Sequence, residues 1–224
     1  IDAGYVVKLP DNVSSELAAS IMLKGLTVAY LIHDSFKVEA GHTVLFHAAA
    51  GGVGLIAGQW LNALGATVIG TAGGAEKCAL AKANGYHHVI DYSSIDFEAE
   101  VMRLTDGKGV DVTYDSVGND TMARSLTSTR RHGTIIAFGQ SSGAYLDFKI
   151  SDLAKGSYRL SRPTLFHFVG ERDWLEANSA KLFTAVTDGT VDISINQKFP
   201  LADVAKAHDA LTGRATTGST ILTV

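Results

Sequence analysis

The sequence predicts an α/β protein built on a doubly wound parallel sheet, and three observations predict it. Short apolar runs alternate with helical patterns from about residue 43 to residue 162. Within that stretch, residues 43–64 read as a strand, a glycine-rich turn and a helix in immediate succession. The chain also carries 23 glycines among 224 residues, enough for many tight strand–helix turns. Strands alternating with helices in this way form a parallel sheet covered on both faces.

Taken in order, residues 1–12 alternate as a short strand ending at Pro10, followed by a turn. Residues 14–31 are a long apolar helical stretch with Glu16 favourably placed in its first turn. Lys24, Gly25 and Thr27 interrupt that stretch, which predicts two helical pieces with Tyr30 in the second. A turn at 38–42 leads into the first strand at 43–48. Val53, Ile56, Ala57, Trp60 and Leu64 then recur at i, i+3, i+4, i+7 and i+11, one buried helical face.

Strands are predicted at 67–72, 88–92, 110–116, 133–139 and 158–162. The helices between them fall at 75–84, with Gly85 as its C-cap, then at 97–104, closed by Asp106-Gly107, and at 119–128. After Pro163 the rhythm changes. An amphipathic helix at 174–187 turns Leu175, Leu182, Phe183 and Val186 inward. Val204, Ala205, His208 and Leu211 mark another, capped by Gly213, and residues 219–224 form a terminal strand. This tail does not continue the alternation and is expected to pack elsewhere.

Composition narrows the function classes. A hydrophobic share of 46% is ordinary for a packed core, and a formal charge of −4 argues against a general nucleic-acid or membrane-surface binder. The single cysteine, Cys78, excludes a disulfide framework and a Cys-rich zinc site and fits a reducing cytosol. No run of 18 or more apolar residues and no cleavable leader is visible, so a cytoplasmic protein is expected. The chain opens on Ile1, which reads as a piece of a longer protein.

The chemistry gathers at the glycine turn. In a dinucleotide-binding fingerprint, three glycines allow a tight turn, close backbone approach to the pyrophosphate, and close helix–strand packing. Here Ala49 takes the first position, while Gly51 and Gly54 keep the second and third. The pyrophosphate would rest on N–H groups at the positive helix end. An NAD-selective site then needs a carboxylate at the end of the second strand. The matching positions are Thr71, Ala72, Gly73 and Gly74, and Lys77 follows, placed to meet a 2′-phosphate. A missing acid and an added cation favour NADPH over NADH, although Glu76 dilutes the argument and Lys77 alone could be a solvated helix lysine. Tyr92, Ser116, Gly118, Phe138, Gly139 and Ser141 stand at further strand ends, where ligands of parallel sheets bind.

The motifs HAAAGGVG at 47–54, VIDY at 89–92, YDSVG at 114–118, AFGQSSG at 137–143, SRP at 161–163 and GRATTGS at 213–219 run through nearly the whole chain. On them it resembles the zinc-free quinone oxidoreductases, zeta-crystallin-like members of the medium-chain dehydrogenase/reductase superfamily. The resemblance implies a Rossmann NADP-binding domain with its lead-in at 1–163. It also implies a C-terminal segment at 164–224 that returns to a GroES-like catalytic domain not contained in these residues. It places Gly52 and Val53 along the pyrophosphate, with Gly73 to Lys77 and Tyr92 round the 2′-phosphate ribose. Ser116, Phe138 and Ser141 would line the nicotinamide half, with Tyr30 near it and Arg214 closing from the C-terminal segment. The implied reaction is hydride transfer from NADPH to a quinone or related conjugated carbonyl, in a homodimer joined through the sixth strand.

Other readings are weaker. Within enzymes the alternative is an enoyl or alkene reductase of the same superfamily; outside them it is a nucleotide- or RNA-binding module, which the acidic balance disfavours. No metal site is expected. His47 reads as a strand-end hydrogen-bonder, His208 as a core residue, and His87-His88 lacks a partner at ligand spacing. Ser141-Ser142-Gly143 is no nucleophile elbow. Arg162 either stabilises a loop or touches substrate.

Overall fold

The computed structural model describes residues 2–193, 195–213 and 216–224. Six strands form one parallel sheet: β1 (Thr43–Phe46), β2 (Thr67–Ala72), β3 (His88–Asp91), β4 (Val110–Asp115), β5 (Thr129–Ala137) and β6 (Arg159–Ser161). Their order, β3-β2-β1-β4-β5-β6, is that of the dinucleotide-binding Rossmann sheet. All five pairings are parallel, with β1 at the centre against β2 and β4. The order reverses beside β1, so its carboxyl end opens at the switch point.

Period-2 alternation divides the strand residues between two faces. Val44, Phe46, Val68, Val112, Tyr114 and Ile136 share one core with the helices α1 (Ser15–Ala29) and α2 (Gly52–Ala63). Ala81 of α3 (Ala75–Ala83) joins the same face. On the other face, Leu45, Ile69, Ile90 and Val110 meet Phe97 and Val101 of α4 (Phe97–Leu104). Ile135 and Ala137 meet Met122 and Leu126 of α5 (Met122–Ser128). The doubly wound expectation is therefore met element by element.

Departures have local causes. Residues 2–12 do not form the expected strand: Ala3–Tyr5 is a 3₁₀ turn capped by the Asp2 carboxylate. The segment is held instead by Arg172, whose guanidinium donates to the carbonyls of Ala3, Gly4 and Val6. Nor is the first helix broken at 24–27. α1 runs unbroken from its Ser14 cap and continues as a π-helical turn over Tyr30–Ser35. Gly25 is a packing residue, since a Cβ there would lie 2.4 Å from Leu182 Cδ1, where α7 (Arg172–Thr187) crosses. The combined helix Ser15–Ser35 is long and apolar enough to cross a membrane by length and composition, with a mean hydropathy of 1.4. It packs here as a core helix against α2 and α7.

The tail also contains elements that apolar periodicity did not reveal. A short α6 (Leu165–Val169) precedes α7, and β7 (Ile195–Pro200) pairs in parallel with β8 (Ser219–Thr223) in a second, two-stranded sheet. Between these strands lies α8 (Val204–Thr212), the expected helix at 204–211. Ser219 bonds back to α1, accepting from Lys24 at 2.9 Å and donating to the Ser20 carbonyl at 3.1 Å. This seats the tail beside the glycine turn.

Candidate dinucleotide site

The turn after β1 is tight because Ala48 takes a left-handed backbone, φ 55°, and its carbonyl accepts from Gly51 N–H at 2.9 Å. The strained position is thus Ala48, one residue before the Ala49 expected to stand in for the first glycine. Gly54 behaves as the close-packing glycine: a Cβ there would come within 2.4 Å of the Ala48 carbonyl oxygen and 2.6 Å of that of Ala49. The N-cap of α2 is Gly51, which has no side chain to bond the first-turn N–H groups. Those donors face the turn at the positive end of a twelve-residue helix.

A crevice of about 350 Å³ opens at this point. Ala48, Ala50 and Gly51 form its floor, with Thr71, Ala72, Gly73, Lys77 and Tyr92 on the β2–β3 side. Val117, Asp120, Thr121, Arg124 and Ser141 come from the β4–β5 side, with Phe97 and Thr216 completing it. Its walls are fixed by hydrogen bonds between loops. Asp91 Oδ1 accepts from Gly74 N–H at 2.9 Å and from Ser93, which ties the Gly73–Gly74 turn to the end of β3 and holds that carboxyl below the ordinary range. Across the crevice, Ser141 N–H bonds the Ser116 carbonyl and Ser142 N–H that of Val117, zipping the β4 and β5 loops together.

Of the residues singled out from sequence, Gly51, Gly73, Lys77, Tyr92 and Ser141 line this crevice together. Gly52, Val53 and Gly54 form the first turn of α2, and Gly74 is the N-cap of α3 beside Gly73. Ser116, Phe138 and Gly139 sit on the zipped loops; Phe138 packs on Phe46, ring centroids 5.7 Å apart. Tyr30 is apart from the crevice lining. It is buried and stacked on Phe168 at 4.8 Å, and burial pushes its phenol up to about 12 against the opposing influence of Arg162. Arg214 lies outside the described residues. A second groove of about 560 Å³ runs between residues 7–12 and α7, and none of the residues singled out for cofactor binding lines it.

Arg124 is the main residue the sequence reading missed. Its guanidinium lies 4.3 Å over the Phe97 ring and 3.5 Å from Asp96 Oδ1, which gives the crevice a second cation besides Lys77. Asp115 was missed too. It is buried at the end of β4 and organises the whole β4–α5 corner, accepting from Val117 and Gly118 N–H and from the Thr121 and Ser125 hydroxyls. A short polar residue every few positions after an apolar strand was the available signal.

A glycine turn, a bare helix N-terminus and a crevice at the switch point of a 3-2-1-4-5-6 sheet define a Rossmann dinucleotide-binding protein. A family profile described as zinc-binding dehydrogenase matches residues 52–180. The quinone oxidoreductase of Pseudomonas aeruginosa is 45% identical over 97% of this chain and 67% of its own. A 2-haloacrylate reductase of a Burkholderia species is 42% identical over 98% and 67%. The crystal structure of Escherichia coli quinone oxidoreductase complexed with NADPH superposes with a TM-score of 0.94 at 42% identity, covering 97% of this chain and 68% of that one. This chain belongs to the zinc-binding dehydrogenase family, in the quinone oxidoreductase group of the medium-chain dehydrogenase/reductases. It spans about two thirds of the length of these relatives.

Proposed function

We propose that this chain binds NADPH in the β1–β4 crevice and serves an NADPH-dependent quinone oxidoreductase. The observation that carries the reading is the crevice itself: a bare helix N-terminus at one end, and at the other a β2 terminus with no carboxylate and with Lys77 and Tyr92 beside it. The donor set fits the cofactor. Gly51, Gly52, Val53 and Gly54 would hold the pyrophosphate, and Gly73, Gly74, Lys77 and Tyr92 the 2′-phosphate ribose. Ser116, Phe138, Gly139 and Ser141 would flank the nicotinamide half, with Arg214 as a further member of the set. When bound, NADPH supplies the hydride that reduces a quinone or related conjugated carbonyl. The protein's part is to hold and orient it against the hydrogen-bonded β4 and β5 loops.

Among the described residues no three His, Cys, Asp or Glu side chains gather as a ligand set. No step is assigned to a metal. The division into a cofactor domain at 1–163 and a segment at 164–224 completing the catalytic domain is part of the proposal. So is a cytoplasmic location, in keeping with a single cysteine. A homodimer through β6 is supported by that strand's position at the sheet edge and by Leu146 and Ile150, more than 80% exposed on the segment before it. Sedimentation as a monomer at micromolar concentration would remove the dimer.

The 2-haloacrylate reductase among the relatives favours one second reading, reduction of an activated alkene. Fluorescence titration with NADPH and NADH, followed by parallel quinone and activated-alkene reduction assays, tests both. Selective NADPH binding is expected, with turnover of one substrate class. Binding of neither nucleotide refutes the cofactor role.

A further inference from the structure

Three elements that build the crevice close on one fully buried imidazole, that of His47. Nδ1 stands 2.8 Å from Thr71 Oγ1 at the end of β2, and Nε2 stands 3.0 Å from Ser125 Oγ on α5. The ring meets Phe97 of α4 edge-on, centroids 5.0 Å apart, and Phe97 in turn carries the Arg124 guanidinium. Thr71, Phe97 and Arg124 all line the crevice.

The direction of each hydrogen bond follows from the far end of the chain. The Asp115 carboxylate only accepts, and its Oδ2 takes the Ser125 hydroxyl proton at 2.7 Å. Ser125 has no second proton, so its oxygen accepts from His47, and the ring proton sits on Nε2. Burial and the nearby Arg124 hold the imidazole below the ordinary histidine range, against the pull of Asp115, and keep it neutral. Its Nδ1 is therefore bare, and the Thr71 hydroxyl donates to it. Thr121 spends its proton in the same way, on Asp115 at 2.8–2.9 Å. Thr71 and Thr121, two of the three threonines lining the crevice, thus spend their protons on protein partners and keep only lone pairs for a further contact.

Resting on the NADPH reading, we propose that His47 is a positioning residue that sets the polarity of the crevice. Through it, Thr71 is an acceptor-only contact for hydroxyl or amino groups of the dinucleotide, as Thr121 is through Asp115. Phosphate oxygens are repelled from this patch and directed to Lys77, Arg124 and the α2 N–H groups. An exposed hydroxyl would bond either kind of group; two hydroxyls with committed protons discriminate.

Nitrogen-15 spectra of the histidine-labelled 224-residue chain should show His47 neutral at pH 7 with its proton on Nε2. An Nδ1-protonated or doubly protonated ring overturns the relay, and this arm needs no variant to fold. In fluorescence titrations, Thr71→Val should weaken NADPH and NADH alike by about three- to tenfold, the range of one neutral hydrogen bond. His47→Leu should match that loss. His47→Gln, whose oxygen accepts from Thr71 and whose NH₂ donates to Ser125, should restore binding to within about twofold. Folded Thr71→Val and His47→Leu variants with unchanged affinity overturn the proposal. A wild-type chain that binds neither nucleotide overturns the cofactor reading instead, and the spectrum then still decides the relay.

Discussion

Gly54→Ala separates two physical effects of opposite sign. In a helix interior, alanine is favoured over glycine by about 0.8–1.0 kcal/mol, so propensity alone predicts a more stable protein. The structure predicts the reverse. The added Cβ would stand 2.4 Å from the Ala48 carbonyl oxygen, 1.0 Å inside the 3.4 Å at which ordinary contact begins. Ala49 contributes two more backbone atoms at 2.6 and 2.7 Å. None of these is the tip of a flexible side chain, so α2 must lift from the end of β1. Lifting it also strains the 2.7 Å bond from the buried Tyr86 hydroxyl to the Gly54 carbonyl. Overpacking of this kind costs about 1–3 kcal/mol, and a loosened buried hydrogen bond adds about 1 kcal/mol. After the propensity gain, a net loss of roughly 1–3 kcal/mol remains, or about 3–10 °C in Tm for a chain of this size. Thermal unfolding by circular dichroism reads it directly, and an NADPH titration should weaken in parallel because the turn moves. A midpoint equal to or above wild type would refute the packing argument.

Other expectations are as direct. Lys77→Ala should cost about 1–3 kcal/mol in NADPH binding and leave NADH nearly unchanged; equal losses for both would show that Lys77 does not read the 2′-phosphate. Tyr86→Phe removes the donor to the Gly54 carbonyl in a fully buried setting and should lower stability by about 1–2 kcal/mol in urea unfolding, with m unchanged. His47, His33 and His88 are all held below the ordinary histidine range, chiefly by burial. The unfolded chain therefore binds more protons than the folded one as pH falls through about 6.5, so stability is complete above that pH and declines below it. A thermal midpoint at pH 5.5 equal to or above that at pH 7.5 would contradict this.

The sheet was legible because its inner strands β1, β2, β4 and β5 are largely buried and bounded by glycine turns, so each βα unit announces itself locally. All six strands and their parallel wiring follow from alternation and length, as does the placing of Gly51, Gly73, Lys77, Tyr92 and Ser141 round one opening. Gly25 was misread for an equally physical reason. In the sequence a helical glycine looks like a break, whereas here it is where Leu182, distant in the chain, comes within reach of the α1 backbone. Strand β7 was invisible because its Ile195–Pro200 run takes its partner, β8, from across α8.

The amino-acid sequence by itself determined the α/β class, the succession of βα units and the cofactor turn, since each depends on residues close together in the chain. Only the tertiary structure decided that Ala48 bears the strained backbone and that Arg124 joins Lys77 in lining the crevice. It alone brings His47 between Thr71 and Ser125. Those contacts join residues 24 to 78 positions apart, and hydrogen-bond direction and close packing are properties of neighbours in space that no local pattern encodes.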